Sequence, residues 1–65
     1  MDSRFISLTS NLHINKDYIV GLEPDEEMLT IITRPSKGVF HSYTLILEDA
    51  EAVQKKIDEI IDAIN

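Results

Sequence analysis

The chain has no cysteine and no tryptophan, and its 65 residues include only two histidines, two glycines and two prolines. Without cysteine, disulfides cannot reinforce the core, and cysteine-based zinc sites and thiol chemistry are excluded. Two imidazoles, His13 and His41, are too few for an ordinary catalytic zinc centre. No apolar run approaches the ~20 residues that a membrane-spanning helix requires. We therefore expect no cofactor, no bound metal and no membrane partner.

Basic residues are also scarce, since six Lys and Arg face twelve Asp and Glu, for a formal net charge of −6. A chain this acidic repels a phosphate backbone at long range, so direct nucleic-acid binding is not expected. Residues 1–4 show no basic region followed by an apolar block, and hence no sign of a signal peptide. The expected location is the cytoplasm, which would be the host cytoplasm if a phage encodes the chain.

The length favours one small domain over residues 1–65, near the lower limit at which a chain folds alone. The composition, 43% hydrophobic and 28% charged, is typical of a folded chain. A single core of this size rarely supplies more than ~3–5 kcal/mol of net stability. Oligomerisation is the remaining natural reinforcement, so we predict a homo-oligomer whose subunits share a core.

Four β-rich runs precede a single helix. The runs cover residues 4–9, 12–22 with a pause at 15–17, 28–33 and 39–47, separated by turn-forming residues. Gly21 within the second run predicts a bulge or a close backbone approach. Alternation in the last run places large apolar groups on both faces. We expect both faces to be covered, with the second layer coming from another subunit.

The C-terminal segment changes from a period of two to one of 3.6. One apolar stripe contains Val53, Ile57, Ile60, Ile61 and Ile64. Asp49 is suited to cap the start of this helix. The predicted fold class is α+β, an antiparallel β-meander of about four strands followed by one amphipathic C-terminal helix.

Carboxylates are distributed along the whole chain except in residues 28–47, where there are none. This segment carries Arg34 and Lys37, for a charge of +2, while the rest of the chain carries 12 acids and 4 bases, for −8. Arginine grips a phosphate bidentately, and lysine supplies a point charge beside it. Phe40, His41 and Tyr43 follow closely and offer rings that can stack on a base.

These residues predict a site for a small phosphorylated ligand. The proposed ligand-binding residues are Arg34, Lys37, Ser36, Thr33, His41 and Tyr43, with the two cations on phosphates, the two hydroxyls adding hydrogen bonds, and His41 or Tyr43 on a base. The same composition is typical of a solvated hairpin end that keeps cations at its tip. No glycine-rich phosphate fingerprint decides between these two interpretations.

Other clusters favour ordinary structural roles. The acidic run 25–27 lacks the spacing of a calcium loop, and a solvated turn accounts for it. An acidic helix patch at Asp58, Glu59 and Asp62 is the basis of a weaker hypothesis, a DNA-mimic inhibitor. The five serines have only two histidines to partner them, and a chain this small rarely builds an oxyanion pocket. We expect binding rather than catalysis, and therefore no enzyme.

The order of features resembles the small FlbD-like proteins of flagellar operons and related short proteins common in phage genomes. The matching segments are residues 5–9, 12–15, 18–24, 29–32, 43–45 and 53–57. The similarity covers nearly the whole chain and lies in its apolar rhythm rather than in a catalytic motif. The chain departs from it at residues 34–41, a longer hairpin than the tight turn usual in the flagellar proteins.

The chain is also similar, in size and acidity, to the oligomeric sponges with which phages sequester cyclic nucleotide signals of bacterial immunity. That resemblance implies a homo-oligomer with ligands held between subunits by basic and aromatic residues. The leading hypothesis is accordingly a non-enzymatic phage anti-defence protein that binds a cyclic nucleotide, such as a cyclic dinucleotide. The alternative is an FlbD-like adaptor module that binds a protein partner and no small molecule.

Overall fold

A computed structural model describes residues 4–65, so part of the segment on which the signal-peptide expectation rests lies outside the described residues. The elements are β1 (Phe5–Thr9), β2 (Leu12–Asn15), a 3-10 turn (Lys16–Tyr18), β3 (Ile19–Asp25), β4 (Met28–Ser36), β5 (Val39–Ile46) and α1 (Ala50–Ile64). The strands form two antiparallel sheets, β1–β2 and β3–β4–β5. The predicted α+β fold, a meander followed by a helix, is confirmed.

The described strands number five rather than about four, because the pause at residues 15–17 is a real break. Asn15 caps the 3-10 turn, since its side-chain oxygen accepts a hydrogen bond from the Asp17 N–H at 2.9 Å. The Lys16 side chain extends to the end of α1, where its Nζ donates to the Ala63 carbonyl oxygen at 3.1 Å. The break therefore separates the two sheets and also holds the last turn of the helix.

The core lies between α1 and one face of the β3–β4–β5 sheet, with the β1–β2 hairpin contributing two side chains. Its buried members are Leu8, Ile14, Leu29, Ile31, Leu45, Val53, Ile57 and Ile60. The helix begins as predicted, because the Asp49 carboxylate accepts a hydrogen bond from the Ala52 N–H at 2.8 Å. The α1 helix is not long and apolar enough to cross a membrane, and it is the only α-helix of residues 4–65.

The structure at Gly21 confirms one of the two predicted alternatives, the bulge. The pairing of β3 with β4 shifts register between Ile19 and Gly21, which is the signature of a bulge. The Ile32 side chain lies over Gly21, with its Cδ1 atom 3.4 Å from the position that a Cβ atom would take. This is an ordinary van der Waals distance, so the close backbone approach that was the other alternative is not seen at Gly21.

Two apolar surfaces are exposed in the single chain. Ile61 and Ile64, assigned to the buried stripe, are 45% and 42% exposed because the helix turns them past the edge of the core. The face of β3–β4–β5 that points away from α1 is uncovered, and on it Phe40 is 61% exposed and Ile46 is 76% exposed. The expectation that a second subunit covers this face stays a prediction.

The turn between β3 and β4 carries local strain. Asp25 pairs with Met28, which leaves Glu26 and Glu27 as a two-residue loop, and Glu26 has a φ of 55°. A left-handed backbone costs a residue with a side chain roughly 1–2 kcal/mol. Glycine avoids this cost, but it loses more conformational entropy on folding, which removes about 0.5–1 kcal/mol of the gain.

We predict that Glu26→Gly raises the free energy of unfolding by up to about 1 kcal/mol, measured by urea denaturation at fixed protein concentration. Glu27→Gly is the matched control, since it removes a similar charge where the structure gives no left-handed φ. The control is expected to destabilise the chain by up to about 1 kcal/mol. Equal effects of the two substitutions would contradict strain at Glu26.

Candidate anion-binding site at the end of the β4–β5 hairpin

The predicted site residues lie at the end of a long hairpin. Ser36 pairs with Val39, so Lys37 and Gly38 form the connecting turn, with Gly38 at a φ of 79°. The register shifts between Thr33 and Ser36, which places an extra residue in β4 just before the turn. Residues 34–42 are all exposed. The hairpin end therefore presents its side chains to solvent.

Arg34 and Phe40 contact each other on the open face of this hairpin end. The guanidinium carbon of Arg34 lies 5.9 Å from the centroid of the Phe40 ring, within cation–π range. Among residues 4–65, the salt bridge is between Lys56 Nζ and Glu59 Oε2, at 3.4 Å. Neither Arg34 nor Lys37 forms a salt bridge with a carboxylate in this part of the chain. Both hairpin cations are therefore available to an external anion.

The two remaining exposed members of the predicted set are Ser36 and His41. Ser36 is the last residue of β4 and stands directly beside Lys37. His41 lies in β5, pairs with Thr33 and is exposed to solvent. Ser36 therefore lies next to Lys37 at the turn, whereas His41 is exposed on the face of β5 opposite to that of Phe40.

Thr33 and Tyr43 lie on the opposite side of the hairpin from Arg34. Thr33 is 3% exposed, and its hydroxyl donates a hydrogen bond to the His41 carbonyl oxygen at 3.2 Å. Tyr43 pairs with Ile31 and packs against the hydrophobic core. The structure therefore divides the predicted residues, with Arg34, Ser36, Lys37 and His41 at the surface and Thr33 and Tyr43 inside.

Phe40 is the residue that the predicted set of six omits. It shares the open face with Ser42, Thr44 and Ile46, as the alternation of β5 indicates. The sequence feature that points to a contact with Arg34 is the spacing of six residues across a turn containing glycine, which brings two strand residues near each other in a hairpin. Because the register shift at residues 33–36 decides which residue faces Arg34, spacing alone could not identify Phe40.

A concave surface lies elsewhere in the chain and has the wrong charge for an anion. It is an open depression along the start of α1, where Glu48, Asp49, Glu51 and Asp58 outnumber Lys55. No group of three His, Asp or Glu side chains within residues 4–65 is placed to hold a metal ion. The basic hairpin end thus remains the candidate site, and within one chain it is open rather than enclosed.

The turn itself depends on Gly38. Alanine in a left-handed conformation costs roughly 1–2 kcal/mol, and nothing lies within 4 Å of a Cβ atom built there, so the backbone alone sets the effect. We predict that Gly38→Ala lowers the free energy of unfolding by about 1 kcal/mol, measured by thermal or urea denaturation.

Gly38→Asn is the matched control, because asparagine adopts the left-handed region more readily than alanine. It is expected to retain most of the stability that Gly38→Ala loses. If both variants were as stable as the parent chain, Gly38 would not hold this turn in the left-handed conformation.

Comparison of the chain with models of known protein families, with curated proteins and with solved structures finds no match.

Proposed function

We propose that the chain is a non-enzymatic binding protein that associates with itself and sequesters an anionic small ligand of the nucleotide class at the end of the β4–β5 hairpin. The observation that carries the proposal is the pair of exposed cations, Arg34 and Lys37, in a segment with no carboxylate between residues 28 and 47. The rest of the chain is strongly acidic, so this hairpin end is the surface to which an anion is attracted.

The side chains at the hairpin end suit a phosphate attached to a ring. Arg34 grips phosphate oxygens bidentately, and Lys37 neutralises the remaining charge. Ser36 offers a hydroxyl beside them, and Phe40 offers a ring face next to Arg34 on which a base can stack. His41 offers a second ring on the other face of β5. Thr33 and Tyr43 support the site from inside, since one holds the backbone of β5 and the other anchors it to the core.

Self-association is part of the proposal because an open hairpin end cannot enclose a ligand. Tight and slowly reversible binding normally requires a site that buries most of the ligand surface. A second subunit supplies a further wall, and it also covers apolar surface that a 65-residue chain leaves exposed. Cyclic nucleotides, including cyclic dinucleotides of immune signalling, are the ligands that this combination of cations and rings favours.

The direct test is calorimetric titration of the purified protein with cyclic dinucleotides, a cyclic mononucleotide and inorganic phosphate. We expect a nucleotide to bind more tightly than phosphate, because only the nucleotide can contact Phe40 or His41. The affinity is expected to fall as salt is raised, since the contacts are partly ionic. Absence of binding by every nucleotide at millimolar concentration would overturn the proposal.

A second candidate is a protein-interaction module, and the exposure of Phe40 and Ile46 on the open sheet face favours it. Exposed apolar residues grouped on one face are typical of interaction surfaces. In this case the parent protein would bind no nucleotide, and variants of Arg34 and Lys37 would be indistinguishable from it in nucleotide titrations.

A further inference from the structure

The two edges of the β3–β4–β5 sheet differ in how well they are protected from pairing with another strand. β3 carries Glu23, Pro24 and Asp25 in sequence, together with the bulge at Gly21. Charges, proline and bulges are the devices by which natural sheets block an exposed edge. The β3 edge is therefore closed to a further strand.

The β5 edge has none of these devices. Its eight residues, Val39–Ile46, contain no proline and no carboxylate. Its pairing with β4 is regular from His41 to Ile46, since the register shift lies nearer the turn. The helix packs mainly on β3 and β4, and six of the eight β5 residues are exposed. An edge of this kind is a template for another strand.

We propose that β5 pairs antiparallel with β5 of a second copy of this chain, about a two-fold axis at Tyr43, to form a continuous six-stranded sheet. This inference rests on the self-association in the proposed function and names the surface that produces it. A two-fold interface requires the same strand to complement itself, and β5 does so in this register.

The register places Phe40 of one copy opposite Ile46 of the other, twice across the axis. These two residues lie on the same open face at opposite ends of the regular part of β5, and they are 61% and 76% exposed. Aromatic and β-branched residues are a favourable cross-strand pair. Between these pairs, Ser42 of one copy lies opposite Thr44 of the other, so each hydroxyl group has a hydroxyl group across the interface.

Charge favours a second copy in this orientation. Two chains of net charge −6 repel each other. Because β5 lies within the segment that has no carboxylate, pairing at β5 brings together the part of the surface where this repulsion is weakest. Antiparallel pairing keeps the two cationic hairpin ends apart and brings each one toward Glu48, just beyond β5 of the other copy. Arg34 lies on β4 and on the open face, so it stays accessible to a phosphate in the pair.

The first test measures association by analytical ultracentrifugation. We expect the parent protein to form a dimer, or an even-numbered assembly built from it. Ile46→Lys is expected to raise the dissociation constant at least tenfold, because lysine on an edge strand opposes pairing and loses the contact with Phe40. Ile46 is largely exposed, so the variant is expected to fold.

Val20→Lys is the matched control. Val20 is an exposed apolar residue, 56% accessible, on β3 at the other edge of the sheet. It is expected to leave association unchanged. A parent protein that is monomeric at millimolar concentration, or equal effects of the two substitutions, would overturn the inference.

A cross-linking experiment tests the register, since the chain has no cysteine of its own. We expect a mixture of Ser42→Cys and Thr44→Cys proteins to form disulfide-linked heterodimers faster than either protein alone forms homodimers. Homodimers forming as fast as heterodimers would contradict the register. Association without nucleotide binding would refute the proposed ligand and leave the pairing intact. Nucleotide binding by a monomer would refute the pairing and the self-association, and leave the ligand site intact.

Discussion

Ile60→Ala is expected to unfold most of the chain at 25 °C. Ile60 is fully buried, with 0% of its surface exposed, at the centre of the contact between α1 and the sheet. Replacing a buried isoleucine with alanine costs about 2–5 kcal/mol, which is comparable with the ~3–5 kcal/mol that a core of this size supplies. The measurement is urea denaturation followed by circular dichroism.

Ile61→Ala is the control for this prediction, because it removes the same atoms one residue further along the same helix. Ile61 is 45% exposed, so its loss is expected to cost less than about 1 kcal/mol. Both variants and the parent are compared at one protein concentration, since self-association adds to apparent stability. Equal losses for the two variants would contradict the helix orientation described above.

The second large effect concerns the hairpin cations. Replacing Arg34 and Lys37 together with alanine is expected to weaken nucleotide binding by a factor of about 100 or more. Hydrogen bonds to charged groups contribute about 1.5–3 kcal/mol each, and each 1.4 kcal/mol corresponds to about a tenfold change in affinity. Both side chains are exposed, so the fold and the association of subunits are expected to persist.

Lys55→Ala combined with Lys56→Ala is the matched control, since it removes two positive charges from α1 instead of the hairpin. If nucleotide binding depends only on overall charge, the two double variants will weaken it equally. If Arg34 and Lys37 contact the ligand, the helix variant will retain most of its affinity. Calorimetric titration at constant ionic strength separates these outcomes.

Much of this fold is predictable because its elements follow regular hydrophobic periods. Alternation in residues 39–47 matches β5 closely, and the 3.6-residue stripe from Val53 predicts α1. The β-rich run 28–33 locates β4, which continues to Ser36 into residues predicted as turn. The division of residues 12–22 into β2 and β3 appears in the sequence only as a pause at residues 15–17. A short polar break of this kind does not reveal whether the chain continues in the same sheet. Ile61 and Ile64 belong to the apolar stripe but are only partly buried. The periodicity of a stripe shows which side of the helix faces the core, but not how wide a surface the core covers.

The candidate site was less predictable than the fold. The composition identified the acid-free segment, and charge alone was sufficient to select Arg34 and Lys37. Nearness in sequence, however, does not assign residues to faces. Thr33 is next to Arg34 and yet lies buried, with its hydroxyl on the His41 carbonyl. Phe40 contacts Arg34 because of a register shift, and a shift of one residue reverses the face of every later side chain.

The most direct test of the anion-binding hairpin is the change in backbone amide chemical shifts when the protein is titrated with a cyclic dinucleotide. We expect saturable changes concentrated in residues 33–42, around the cations and Phe40, with the amides of α1 little affected. No change at millimolar nucleotide, or changes centred on the acidic start of α1, would contradict it.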